Sequence, residues 1–199
     1  MRPDNLYSAM NIVLASASPR RREILAQTGL VFTVDAGDCE ETLDLPMEPA
    51  ELARYLSRKK AEAVPGKYTN ALIIAADTFI LFEGGLLGKP SDEKDAVRTL
   101  KRLNGHCHSV ITGFTVLDTA KKRVFSDAVE TKVYFRHLST EEISSYVSTG
   151  EPLDKAGSYG IQGLGALLVE KIEGDYFNVM GLPIGALAQA LKKFGIRVL

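Results

Sequence analysis

Cysteine is scarce and tryptophan is absent: the 199-residue chain has two cysteines, Cys39 and Cys107, and no tryptophan. Two cysteines cannot build the disulfide framework of a small secreted domain, and without a CxxC pair there is no structural zinc motif. An excess of either charge is also lacking. Twenty-four Lys and Arg face 25 Asp and Glu, a formal net charge of −1. No global basic field therefore draws the chain to nucleic acid or to an anionic membrane, and any anion it binds must be held by a local cluster. No apolar run approaches the roughly 20 residues needed to cross a bilayer. The first ten residues are polar and unlike a signal peptide. These absences predict a cytoplasmic protein with neither a nucleic-acid nor a membrane partner. Also missing are a Gly-x-Ser-x-Gly elbow and a Cys–His pairing, which leaves no sign of an acyl-enzyme.

What is present is an ordinary globular composition, 45% hydrophobic and 25% charged, which excludes intrinsic disorder. Strand and helix patterns alternate along the chain and predict an α/β fold with a mixed central sheet flanked by helices. Strands are expected over residues 11–15, 30–34, 71–76, 108–117, 124–135 and 166–172, and a hairpin over 79–87 turning at Glu83-Gly84-Gly85. Helices are expected from Pro19 to Gln27, over 49–64, 91–103 and 139–148, and over 183–194. Ser139 and Glu142 have the spacing of a capping box, with Leu138 and Ile143 as its hydrophobic staple. Residues 1–10 read as an N-terminal leader and 11–199 as one domain.

Four segments carry more polarity than a fold requires. In Ser16-Ala17-Ser18-Pro19-Arg20-Arg21-Arg22, three arginines occupy the first turn of a helix. Stability alone would put acids at that positive end of the helix dipole, as the helices near 91 and 139 do. Free N–H groups and guanidinium groups together make an anion site, and phosphate is the natural ligand. The alternative is a solvated basic face. On the anion-site reading, Arg21→Ala would weaken phosphate binding and cost little stability. Asp77-Thr78 follows the most apolar run, ALIIAA. A carboxylate there either caps the end of a strand or binds metal, pairs with a cation or acts as a base.

The third segment, residues 154–165, holds four glycines, with Lys155 for charge and Gln162 with the donor–acceptor pair of an amide. It reads equally as a plain turn between helix and strand. The fourth, Gly84-Gly85-Leu86-Leu87-Gly88-Lys89-Pro90, is not a Walker A loop. Only three residues separate Gly84 from Gly88, and Pro90 stands where a hydroxyl is needed. Lys89 can still meet a phosphate. His106 and His108 can share one face of a strand, but two ligands without a third do not make a metal site. Glu40 and Glu41, taken alone, read as a solvated loop.

Together these segments resemble the Maf family of nucleotide pyrophosphatases. The ordered match runs through Leu14-Ala15-Ser16-Ala17-Ser18-Pro19-Arg20-Arg21, Glu41-Thr42, Lys60-Ala61, Ala76-Asp77-Thr78 and Gly88-Lys89-Pro90. It continues through Thr112-Gly113, Gly150-Glu151-Pro152-Leu153-Asp154-Lys155-Ala156-Gly157, Ile161-Gln162-Gly163 and Gly181-Leu182-Pro183. The resemblance implies two lobes around a deep nucleotide cleft, often as a homodimer. It also implies attack of water on the α-phosphorus of a nucleoside triphosphate, with a divalent cation, Mg²⁺ or Mn²⁺, and release of pyrophosphate. Asp77 would be the proton acceptor, and Glu41 and Asp77 would hold the metal. Which of these two carboxylates is base and which is ligand stays open. Ser16, Arg21, Lys60 and Lys89 would bind phosphates. Arg20, Thr78 and Gln162 resemble the members acting on dTTP and UTP, where those acting on 7-methyl-GTP have an aromatic residue, Gln and Glu. A competing reading is a nucleotide-binding regulator of septum formation without turnover.

Overall fold

A computed structural model of the chain describes residues 10–37, 45–64, 66 and 68–199. Apart from Met10, the expected leader lies outside the described residues, as do Glu41 and Cys39. The elements are β1 (Asn11–Leu14), α1 (Pro19–Ala26), β2 (Thr33–Val34), α2 (Pro49–Glu62), β3 (Ala71–Phe82), β4 (Gly85–Leu87), α3 (Glu93–Leu103) and β5 (Cys107–Asp118). After them come β6 (Arg123–Phe135), α4 (Thr140–Ser148), β7 (Val169–Glu173), α5 (Tyr176–Met180) and α6 (Ile184–Lys192). Seven strands form one mixed sheet in the order β2-β1-β3-β5-β6-β7, with β4 beside β3. β1 is parallel to β2 and β3, whereas β3, β5, β6 and β7 pair antiparallel.

The local chemistry accounts for most element ends. Ser18 caps α1, its hydroxyl accepting from the Arg21 N–H, and Pro19 fills the first turn, where a missing N–H costs nothing. Ser139 and Glu142 form the expected capping box of α4, and the staple residues Leu138 and Ile143 are both buried. Asp175 caps α5 by accepting from the Phe177 and Asn178 N–H groups, and Gly181 ends it in the left-handed region.

Three expectations need correction. β3 is one strand of 12 residues, so Asp77 lies in its middle and not at its end. The strand continues because β5 pairs with it from Leu72 to Leu81, keeping Asp77 and Thr78 extended despite their polarity. The ladder of β2 is only Thr33–Val34, because Leu30 and Phe32 before it pack into the core. The last strand begins at Val169, since Gly163–Leu168 is taken up by a 3₁₀ turn.

On β3 the side chains alternate between faces. On one face Leu72, Ile74 and Ala76 join a core cluster with α1 and α6, while Ile80 and Phe82 join a second cluster with α3 and α4. Thr78 sits between them. On the other face Ala71, Ile73 and Ala75 belong to one cluster and Phe79 to another, with Asp77 between. The polar pair thus stands where the core divides into two lobes.

α2 covers the Asp77 face. Its sheet-facing stripe of Ala53, Leu56, Ser57 and Ala61 is buried. At Gly113, the β5 partner of Asp77, an added Cβ would come 2.0 Å from the Ala53 carbonyl oxygen. Only glycine lets the helix approach this closely, and the approach brings the last turn of α2 over the middle of β3.

His108 on β5 is buried, with Nε2 2.7 Å from the Tyr159 hydroxyl. His106 is exposed and meets the Asn104 carbonyl, so the two histidines do not converge. Burial lowers the His108 pKa from 6.5 to about 4. Because the folded value is depressed, this neutral histidine favours the fold above pH 6.5, and the contribution is lost as pH falls toward 4. Urea midpoints should therefore drop between pH 7 and pH 4.5 more for the native chain than for His108→Gln. Equal drops would show that another group drives acid unfolding.

Candidate active site

β1 and β4 share one edge of β3, but they do not meet. β1 pairs with Ala71 to Ile74 and β4 with Ile80 to Phe82. Between them, among the described residues, Ala75 to Phe79 have no strand on that edge. Through this gap both faces of β3 reach one space, so Asp77 and Thr78 line the same cavity although they point to opposite faces. The cavity has a volume of about 610 Å³, within the usual span of small-ligand pockets. The crevice thus opens at the carboxyl end of β1, as in other α/β sheets.

Of the candidates expected from the sequence, Ser16, Arg20, Arg21, Lys60, Asp77, Thr78, Lys89 and Gln162 all line this one cavity. Glu41 lies outside the described residues. Lys60, from the last turn of α2, donates to Asp77 Oδ1, and both side chains are largely buried. Lys89 follows β4 and is held near the glycine-rich segment by the Gly157 N–H donating 2.9 Å to the Gly88 carbonyl. Lys155, which the sequence marks only by its charge, also lines the cavity. Its ammonium donates to the Glu151 carbonyl at 2.5 Å and to Asp154 Oδ1 at 2.6 Å. Five cations thus gather in a protein whose net charge is −1.

The first turn of α1 has no acidic residue, whereas α3 and α4 each begin with acids. Arg22 is exposed and outside the cavity, while Arg20 and Arg21 are half-buried in its wall. Arg21 does more than supply charge. Its Nε donates 2.8 Å to the Gly181 carbonyl, Nη1 3.3 Å to Ser16 Oγ and Nη2 3.1 Å to Thr78 Oγ1. One guanidinium thus ties the loop after β1 to β3 and to the end of α5.

Thr78 is held in turn. Thr112 Oγ1 donates 2.9 Å to the Asn178 carbonyl, so in the 2.9 Å contact between the two threonines Thr78 must be the donor. With its proton turned inward and Arg21 on its oxygen, Thr78 presents the cavity with an acceptor and a brace for Arg21. Asn178 is fully buried and donates to the Val110 carbonyl and to Thr131. Nothing in the sequence marks Thr112 and Asn178 as neighbours of Thr78, because residues 66 positions apart in the chain must first meet.

Gln162 is exposed at the rim. A Cβ at nearby Gly160 would lie 3.5 Å from Arg20 Nη1 and 2.9 Å from Lys155 Cε, so the Gln162 loop runs beside both cations. Among the described residues no three His, Cys, Asp or Glu side chains form a metal cluster. Asp77 is nevertheless a carboxylate facing a cavity rich in phosphate-type donors. A hard divalent cation commonly uses one or two carboxylates and completes its shell with substrate phosphates and water. Asp77 fits such a site.

A sheet gap lined by five cations and two carboxylates, Asp77 and the Lys155-paired Asp154, is the architecture of an α/β protein that receives a polyphosphate. The sequence model of the family described as Maf-like protein matches residues 11–194, and the chain belongs to that family. It is 48% identical to the dTTP/UTP pyrophosphatase of Dictyoglomus turgidum, over 94% of this chain and 98% of the relative. It is 49% identical to that of Geotalea uraniireducens, over 96% and 98%. It is also 49% identical to that of a Thermoanaerobacter species, over 96% and 100%.

The Arg21 geometry reverses the sequence expectation for its removal. Hydrogen bonds from a charged donor contribute about 1.5–3 kcal/mol each, while the helix-dipole contact relieved by its loss amounts to about 0.3–1 kcal/mol. Arg21→Ala should therefore lower the melting temperature of the nucleotide-free protein, and Arg21→Lys should restore only part of it, since an ammonium cannot span the three acceptors. An unchanged melting temperature for Arg21→Ala would show that the three bonds contribute nothing net.

Proposed function

We propose that this chain is a nucleoside triphosphate pyrophosphatase that hydrolyses dTTP and UTP to the monophosphate and pyrophosphate. One observation carries the reading: Asp77 and Lys60, Arg21 and Lys89 face a single cavity that opens through the gap in the sheet. A triphosphate needs several cations converging on it, and a hydrolase needs a carboxylate beside the reacting phosphorus. Curated relatives aligned over nearly their whole length are named as dTTP/UTP pyrophosphatases, which favours turnover over a regulator that only binds.

In this reading water attacks the α-phosphorus and Asp77 takes its proton. The bond from that phosphorus to the α–β bridging oxygen breaks, and the oxygen leaves with pyrophosphate. Arg21, Lys89 and Ser16 hold the phosphates, while Lys60 orients Asp77 and meets the developing charge. A divalent cation, Mg²⁺ or Mn²⁺, held by Asp77 with Glu41 and phosphate oxygens, would neutralise charge on the reacting phosphate. Arg20 and Gln162 flank the space left for the base. The Gln162 amide can donate to and accept from the edge of uracil or thymine, which carries both kinds of group. We further infer a cytoplasmic homodimer. No described helix is long and apolar enough to cross a membrane. Gel filtration at twice 21.7 kDa would support the dimer.

Asp77→Asn should remain folded and lose about 10²–10⁴ in turnover, the range of a general acid–base group. Chelation with EDTA should abolish pyrophosphate release, and Mg²⁺ or Mn²⁺ should restore it. Near-native release by folded Asp77→Asn would remove Asp77 from the chemistry. Across a nucleotide panel, dTTP and UTP should be hydrolysed in preference to dATP, GTP and 7-methyl-GTP, and Gln162→Glu should erode that preference. Equal hydrolysis of 7-methyl-GTP by the native chain would overturn the pyrimidine assignment while leaving the pyrophosphatase reading in place.

A further inference from the structure

Glu151 belongs to the GEPLDKAG segment, yet neither the proposed chemistry nor the cavity lining includes it. Its backbone opens the 3₁₀ turn Glu151–Asp154, and its carbonyl is held by the Lys155 ammonium. Its carboxylate turns away from the phosphate cations toward the loop that presents Gln162. Oε1 accepts from the Tyr146 hydroxyl at 2.9 Å and from the Gly165 N–H at 3.0 Å. Oε2 accepts from the Leu164 N–H at 3.1 Å. Tyr146, a buried residue of α4, in turn accepts from the Gly160 N–H at 3.2 Å. Two side chains in direct contact therefore grip both ends of the loop 160–165, with Gln162 between the grips.

Apart from the 3₁₀ turn that begins at Gly163, little else holds the tip of that loop. Gln162, Gly163 and Leu164 are all exposed, so no hydrophobic burial orders them. The chain instead lies closely against the carboxylate. Gly163 adopts φ +65°, and a Cβ there would come 2.8 Å from Glu151 Oε2. A Cβ on Gly165 would meet the Gly160 carbonyl at 2.0 Å and the Tyr146 hydroxyl at 2.7 Å. Hydrogen bonds to an ionised acceptor are about twice as strong as neutral ones, and an isosteric amide cannot replace them here. Glutamine offers one acceptor oxygen where three donors converge, and it turns an NH₂ toward N–H or O–H groups.

We propose that Glu151 and Tyr146 form a clasp that positions the base-reading loop, so that base selectivity depends on a carboxylate that does not touch the nucleotide. This rests on the pyrimidine reading above, in which Gln162 meets the base. Glu151 is a positioning residue. Phosphate capture and proton transfer reside on α1, α2, β3 and the segment after β4, none of which hydrogen-bonds to the Glu151 or Tyr146 side chain; Lys155 meets Glu151 only at its backbone carbonyl.

The test combines two measurements on the full chain with Glu151→Gln and Tyr146→Phe. The ratio of kcat/KM for dTTP over dATP should fall by about tenfold or more in Glu151→Gln, equivalent to one lost discriminating hydrogen bond. KM for dTTP should rise while kcat at saturation stays within about threefold, a split expected when binding is lost and chemistry is spared. Amide hydrogen exchange in the nucleotide-free protein should quicken at Leu164 and Gly165 in Glu151→Gln, and at Gly160 in Tyr146→Phe. A folded Glu151→Gln with native selectivity overturns the proposal, as does unchanged exchange at these amides. If Glu151→Gln fails to fold, Tyr146→Phe decides by the same two readouts. A native chain with no pyrimidine preference overturns the preceding reading and the selectivity role with it, and the exchange measurement then decides whether the clasp itself exists.

Discussion

The continuous pairing of β3 with β5 is the constraint on which the rest of the structure depends. From Leu72 to Leu81 every step of β3 is matched on that edge, so the other edge can lose its partner between β1 and β4 without the strand breaking. An unpaired stretch of backbone inside a sheet is costly unless water or a ligand satisfies it. Here the cost falls at the one stretch where the side chains are also polar. Asp77 and Thr78 interrupt the apolar sequence on both faces, and the core clusters end on either side of them. Cavity, lobes and reactive groups all follow from one strand kept extended through a polar pair.

Around that strand the polar groups are placed so that few are left to chance. Lys60 is delivered by the helix that can approach only because Gly113 has no side chain. Arg21 is set by three acceptors from three segments. Thr78, Thr112 and Asn178 pass one hydrogen bond to the next beneath it. Preorganisation of this kind spares reorganisation when a highly charged ligand arrives, which is where electrostatic catalysis gains most.

Much of this was legible in the residues. The Ser18-Pro19 start of α1, its acid-free first turn and the Ser139–Glu142 capping box can all be read locally, because each depends on neighbours within one turn of helix. Eight of the nine candidate site residues line one cavity, and the ninth, Glu41, lies outside the described residues. The sequence puts Asp77 at a strand end and the structure in mid-strand, because a polar pair after ALIIAA looks the same whether the chain turns or a cleft begins. What decides between these is β5, more than thirty residues later. The sequence alone gives Arg21 no part in stability, because its acceptors Thr78 and Gly181 lie 57 and 160 positions away. The sequence gives Glu151 no role of its own, because two of its three donors are backbone N–H groups, which leave no mark in a sequence.

The reach of Arg21 has a consequence for how the chain becomes competent. Contacts between residues far apart in the chain carry a large closure entropy and are made slowly. The bond from Arg21 to the Gly181 carbonyl spans most of the protein. A ribosome that has released α1, α2 and most of the sheet has still not supplied the carbonyl that fixes this guanidinium. The cation cluster therefore acquires its final geometry only when the segment carrying Gly181 docks. A nascent chain that stops short of Gly181 presents the strand and its cations without the carbonyl that sets the Arg21 guanidinium.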